Sequence, residues 1–182
     1  MKRIALVGFG LLAGSIASAL KQAKRPTVIR AVSSPATLAR ARELELADEF
    51  FEYAQVEEWS RDCDLILLCG PILHILKTID ALSHVKWANA QSNGVAGKDC
   101  VAGSNGANSI DAKLNGAACL VSDIGSTKVE ICRAGSKLPA PFKFVGSHPM
   151  AGSEKRTCEY NDPAIFENAY WFVCPPEGMP ES

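Results

Sequence analysis

The sequence predicts an α/β fold: a doubly wound, mostly parallel sheet with helices on both faces. Two observations carry this. Short apolar runs alternate with stretches of helical periodicity, and the first run ends in glycines that open directly into a helix. Residues 3–8 (RIALVG) are apolar and glycine-ended, which predicts a buried strand. Leu12, Ile16, Ala19, Leu20 and Ala23 recur at helical spacing, which predicts a helix over 12–23. A second strand follows at 27–32 (TVIRAV), and Pro35 opens a helix running to about residue 46. DEFFEY (48–53) reads as a short strand, DLILLC (64–69) as a buried one, and Pro71 to about Val85 as an apolar-periodic helix. CLVSDI (119–124), a helix from Thr127 to Ala134, FKFVGS (142–147) and AYWFVC (169–174) complete the set.

The 182 residues suit one domain, assigned here to 1–175, with 176–182 as the start of a linker. With 19 Lys+Arg against 20 Asp+Glu, the net charge of −1 argues against a nucleic-acid partner, which would need a basic stripe. An apolar content of 47% argues against disorder. No apolar run approaches the roughly 20 residues of a membrane span. The start, Met1-Lys2-Arg3-Ile4, resembles a secretion signal only briefly. Glycines interrupt it, and it reads as the first strand. Seven scattered cysteines without a C-x-x-C pair lead us to expect a reducing, cytoplasmic setting and no metal site. From Ala88 to Ala118, 21 of 31 residues are Ala, Gly, Asn or Ser, so 88–118 reads as an irregular insertion.

Three motifs carry chemistry. The first is Gly8-Phe9-Gly10-Leu11-Leu12-Ala13, with Gly14 behind it: a G-x-G-x-x-A fingerprint between strand and helix. Gly8 permits the tight turn, Gly10 lets backbone approach a pyrophosphate, and Ala13 and Gly14 keep the helix close to the sheet. The N–H groups of Leu11 and Leu12 and the helix dipole then face the phosphates. The bland alternative is a turn with glycines for packing alone. The second strand ends in Val32-Ser33-Ser34, with no acid to bind ribose hydroxyls. Ser33 and Ser34, with charge from Arg30, Arg40 or Arg42, lean slightly toward NADP over NAD, although a Ser-Ser-Pro helix cap would use the same residues.

The second motif, Asp123-Ile124-Gly125-Ser126-Thr127-Lys128, leaves a strand for a helix, so Ser126 faces the cleft, caps the helix, or does both. The third is Gly146-Ser147-His148-Pro149-Met150-Ala151-Gly152-Ser153-Glu154, read as following a strand. It holds the one histidine expected to face the cleft, able to take a proton from an alcohol as hydride leaves the same carbon. A structural histidine is the alternative. His74 and His84 read as surface or packing residues.

Together these motifs resemble the prephenate/arogenate dehydrogenase family. The matching pieces are VGFGLLAGSIASAL (7–20), DIGSTK (123–128), GSHPMAGSE (146–154) and FENAYWFVCP (166–175). The resemblance implies a Rossmann-type nucleotide-binding domain and NAD(P)-dependent oxidative decarboxylation of prephenate or arogenate in tyrosine biosynthesis. It gives His148 and Ser126 catalytic, substrate-contacting roles, places Glu154 at the mouth of the substrate cleft, and assigns Cys69, Gly70 and Pro71, with Gly125, to the cofactor. It also implies a helical second domain, absent from these 182 residues, that makes a homodimer and binds the substrate carboxylate. A nucleotide-binding module needing a helical partner is the alternative. A β-hydroxyacid dehydrogenase or pyrroline-carboxylate reductase fits GSHPMAGSE less well.

Overall fold

The computed structural model describes residues 2–85 and 118–174. The expected insertion at 88–118, apart from Ala118, and the linker at 176–182 lie outside these described residues. Seven strands form one sheet in the order β3-β2-β1-β4-β5-β6-β7. The first half is β1 (Arg3–Val7), α1 (Leu11–Gln22), β2 (Val28–Ser33), α2 (Pro35–Glu43), β3 (Glu49–Glu52) and α3 (Val56–Ser60). The second is β4 (Leu65–Leu68), α4 (Ile72–Ser83), β5 (Cys119–Asp123), α5 (Val129–Gly135), β6 (Phe142–Pro149), a 3₁₀ turn (Cys158–Tyr160) and β7 (Trp171–Cys174). Strands β1 to β6 are parallel to their neighbours, and only β7 is antiparallel. The expected fold class is what the chain adopts.

Strand alternation sorts the apolar residues into two cores. Ile4 and Leu6 of β1, Ile29 and Ala31 of β2, and Leu67 of β4 face Ala13 and Ala17 of α1 and Leu38 and Ala41 of α2. Ala5, Val7, Val32, Ile66, Leu68 and Val121 face the other way, onto Ile75, Ile79 and Leu82 of α4 and Ile131 of α5. Trp59, from the short α3 that the sequence did not reveal, closes this second core at 1% exposure. Helix α2 stops at Glu43 rather than near 46 because Glu45 takes a left-handed conformation (φ 51°), turning Leu46 back to bond the Ala41 carbonyl.

The motif read as following a strand lies partly within one. Strand β6 runs on to Pro149 because it changes partner midway. Phe142–Val145 pair with β5, whereas Gly146–Pro149 pair with β7, His148 opposite Phe172. Among the described residues strand β7 is an edge, with apolar side chains in solvent: Trp171, Phe172 and Val173 are 41%, 55% and 57% exposed. An edge of this kind offers unpaired backbone groups beside bare hydrophobic surface. We expect these 182 residues to self-associate, and Val173→Lys to reduce the effect. Sizing chromatography over a concentration series tests this, and a clean monomer of the unsubstituted chain at high concentration contradicts it.

Candidate functional site

The C-terminal ends of β1 to β4 open on one cavity of about 460 Å³, where the strand order reverses between β1 and β4. Gly8 makes the turn after β1. Its φ is +93°, and a Cβ there would lie 2.6 Å from the Gly70 nitrogen, so a side chain would push β1 and β4 apart. Phe9 is buried at 1% exposure and anchors the turn in the first core. Cys69, Gly70 and Pro71 line the cavity from β4, and Ser33 and Tyr53 line it from the ends of β2 and β3. Burial, with a smaller contribution from the Asp123 carboxylate, pushes the Cys69 thiol far above the ordinary cysteine range, so it lines the cavity as a neutral group.

The far wall is the segment 156–162, which docks along α1. Leu11 N–H donates to the Arg156 carbonyl at 2.9 Å, and Gly10 bridges Thr157. Further along, Asp162 N–H donates to Ser15 Oγ at 2.9 Å. Gly14 serves this docking: a Cβ there would lie 3.2 Å from Cys158 and Asn161, whereas Ala13 alone faces the sheet-side core. This corrects the expectation that Gly14 sets the helix against the sheet. Gly10 likewise admits the Arg156 carbonyl, which a Cβ would meet at 2.7 Å.

The residues fit a dinucleotide. The N–H groups of Leu12 and Ala13 have no partner among the described residues, which leaves two donors at the N-terminus of α1. Arg156 lines the cavity beside the glycine turn and makes no ion pair among the described residues. At the other end, Thr37 and Arg40 of α2 line the cavity with Ser33 and Tyr53. Of the predicted cofactor residues, Gly8, Phe9, Gly10, Ser33, Cys69, Gly70 and Pro71 share this cavity, while Leu11, Leu12, Ser34 and Gly125 do not line it. Ser34 caps α2 in position only, its hydroxyl 3.1 Å from that of Thr37. Sequence reasoning missed Thr37, Tyr53 and the 156–159 wall, for which no local motif exists.

The three candidate cations part ways. Arg30 is buried, pairs with Glu49 at 2.6 Å and donates to the carbonyls of Trp59 and Arg61, so it braces the fold and is not available to a ligand. Arg42 lies over the Phe50 ring, outside the cavity. Only Arg40 reaches the cavity, already paired with Glu43 at 2.6 Å and Glu159 at 3.2 Å.

Beyond β4, Asp123 joins the second and third motifs. Its carboxylate is fully buried and accepts from Lys128 Nζ, from Gly125 N–H at 2.8 Å and from Ser147 N–H at 3.2 Å. Lys128 Nζ also donates to the Ser147 carbonyl at 2.6 Å. This closed loop delays helix α5, which begins at Val129 with Lys128 as its N-cap. Ser126 is therefore not the cap. It lies exposed in the loop, with no hydrogen-bond partner among the described residues. His148 lies 2.9 Å from the Ile124 carbonyl through Nδ1, which requires Nδ1 to carry a hydrogen and, in the neutral ring, makes Nε2 the acceptor. Glu154 is exposed on the loop after β6. His148, Ser126 and Glu154 thus stand outside the glycine-turn cavity, with His148 alone among them bonded to the β5 end.

A glycine turn at a topological switch point, with free helix N–H donors, places the fold in the Rossmann class. The profile of the family described as "Prephenate dehydrogenase, nucleotide-binding domain" matches residues 108–181. The chain is 28% identical over 175 residues to a prephenate dehydrogenase of Lactococcus lactis subsp. cremoris, covering 95% of this chain and 41% of that one. A Bacillus subtilis prephenate dehydrogenase is also 28% identical, with 94% and 39% covered. Among solved structures, Synechocystis arogenate dehydrogenase is 25% identical with a TM-score of 0.68, covering 96% of this chain and 50% of that one. The fold also matches Aquifex aeolicus prephenate dehydrogenase in complex with hydroxyphenyl propionate and NAD+ (TM-score 0.72, 23% identity, 99% and 52% covered). Together these matches bear out the resemblance to the N-terminal domain of the prephenate/arogenate dehydrogenase family. The chain spans about two fifths of the length of the curated relatives it matches.

Asp123→Asn removes the charge that Lys128 answers and leaves an ammonium without its carboxylate partner. We expect a loss of about 2–4 kcal/mol in stability by urea unfolding. An unchanged midpoint would show that the network contributes nothing to the fold.

Proposed function

We propose that this chain is the cofactor-binding part of an NAD(P)-dependent oxidoreductase that oxidatively decarboxylates prephenate or arogenate, in the cytoplasm, for tyrosine biosynthesis. The observation that carries the reading is the His148 tautomer: with Nδ1 held by the Ile124 carbonyl, Nε2 is an oriented proton acceptor. The two curated relatives support the reaction class, and the Aquifex structure, alike in fold, holds NAD+ and a hydroxyphenyl ligand.

In this reading residues 1–175 are one domain. The nicotinamide cofactor, when bound, supplies the hydride acceptor for the substrate's C4 carbon. His148 takes the C4 hydroxyl proton at Nε2 as that carbon is oxidised. Loss of carbon dioxide aromatises the ring, and the resulting phenolate oxygen takes the proton back, so His148 ends as it began. Products are 4-hydroxyphenylpyruvate from prephenate, or tyrosine from arogenate. Ser126, exposed on the loop after β5, is free to meet the hydroxyl, and Glu154 the outer part of the substrate. Gly8, Gly10, Leu11 and Leu12 hold the pyrophosphate end of the cofactor. Admitting a phosphate at Leu11 requires the Arg156 carbonyl to give up its hydrogen bond.

A second reading rests on a separate observation. The apolar edge at β7 favours a module that packs against a helical region, which would pair with the substrate carboxylate and form a dimer. Nicotinamide reduction by the purified chain, with prephenate and arogenate each offered NAD and NADP, separates the two. Turnover supports the first reading. Binding without turnover supports the second. In either the chain itself or its assembly with a partner, His148→Asn should cut kcat by about 10²–10⁴-fold with cofactor affinity nearly unchanged. Parallel loss of cofactor binding would make His148 structural.

A further inference from the structure

Strand β2 ends without the acid that ordinarily meets the adenosine ribose, yet the cavity at that position contains one. Glu159 lines the cavity from the 3₁₀ turn Cys158–Tyr160, more than a hundred residues along the chain. It faces α2, where Arg40 Nε donates to its Oε2 at 3.2 Å, and Thr157 donates to its Oε1 at 3.0 Å. Its position is fixed by the docking of its neighbours: Cys158 is buried at 1% exposure against α1, and Arg156 and Asp162 bond α1 on either side. Ser33, the last residue of β2, lines the same cavity.

Arg156 lines the cavity, its backbone carbonyl docked on the N-terminus of α1 at the glycine turn. Glu159 lies at the α2 end, where an adenosine ribose would sit. Arg40 does not make that end cationic, because Glu43 and Glu159 both pair with it. These bonds, with Glu43 the larger influence, raise the Arg40 guanidinium above its ordinary value. Glu43 lies outside the cavity and is largely in solvent, so Glu159 is the carboxylate that a ligand would meet.

We propose that Glu159, set against Arg40 of α2 in the cavity that Ser33 also lines, selects the cofactor by accepting the ribose diol of NAD and repelling the 2′-phosphate of NADP. The proposal rests on the dinucleotide reading and reverses the slight lean toward NADP drawn from Ser33, Ser34 and the three arginines. A carboxylate accepts hydrogen bonds from two hydroxyls at no charge cost, whereas a dianionic phosphate a few ångströms away is repelled and meets an Arg40 already committed.

The test is calorimetric titration of NAD and of NADP into the 182-residue chain and its Glu159→Gln variant. Glu159 is at the surface, so the isosteric change leaves the fold intact. The unsubstituted chain should bind NAD more tightly. Glu159→Gln should tighten NADP about tenfold and weaken NAD by less, and adding Arg40→Ala should abolish the NADP gain. A preference for NADP in the unsubstituted chain overturns the proposal, as does an NADP:NAD affinity ratio that Glu159→Gln leaves unmoved or an equal change in both. If neither cofactor binds the unsubstituted chain, the dinucleotide reading itself fails and takes this proposal with it.

Discussion

A carboxylate with no contact with solvent has to be answered from within the protein, and the way Asp123 is answered shapes the second half of the molecule. One oxygen takes the Lys128 ammonium and the Gly125 N–H, which curls residues 123–128 into a closed loop, and the other takes the Ser147 N–H across to β6. Ser147 returns the favour through its hydroxyl, 2.7 Å from the Asp123 carbonyl. Two segments far apart in sequence are thereby locked in register at the ends of β5 and β6. The residue after Asp123 presents its carbonyl to the residue after Ser147, which is how the His148 ring acquires a fixed tautomer. The orientation of the candidate base follows from burying a charge one residue away from the carbonyl that holds it.

The first half is organised differently, by close approach of backbones. Gly8 brings β1 to β4, Gly10 brings α1 to Arg156, and Gly14 brings α1 to Cys158 and Asn161. The wall so formed borrows its polar groups from a distant part of the sequence. An arginine and an acid are delivered to the cavity by residues three apart on one short segment. Both halves therefore use the same economy, in which a rigid contact between remote segments sets the chemistry of the one beside it.

Much of the fold was legible because burial writes directly into sequence. Six parallel strands, their helices and the glycine turn follow from apolar runs and breakers, and they fall where periodicity placed them to within a few residues. The motifs were legible as well, since Gly8, Asp123 and His148 are each tied to a strand end. What could not be read depends on tertiary pairing. Helix α3 is too short for periodicity, the helix cap moved from Ser126 to Lys128 because Asp123 captures the lysine, and Arg30 turned inward to Glu49. The wall at 156–159 has no local signature at all: its residues matter only because Gly10 and Gly14 leave room for them.

The change of partner within β6 divides one strand into two mechanical regimes. Phe142 to Val145 pair with β5, an interior strand of the sheet, while Gly146 to Pro149 pair with β7, a four-residue strand with exposed side chains. Pairing with a short exposed edge opens more readily than pairing with an interior strand, so amide protons bonded across to β7 should exchange faster than those bonded to β5. The His148 backbone is thus secured on one side by a buried charge and on the other by a ribbon that can fray. Anything that settles on β7 would raise the protection of that second half, and so stiffen the candidate base without touching it.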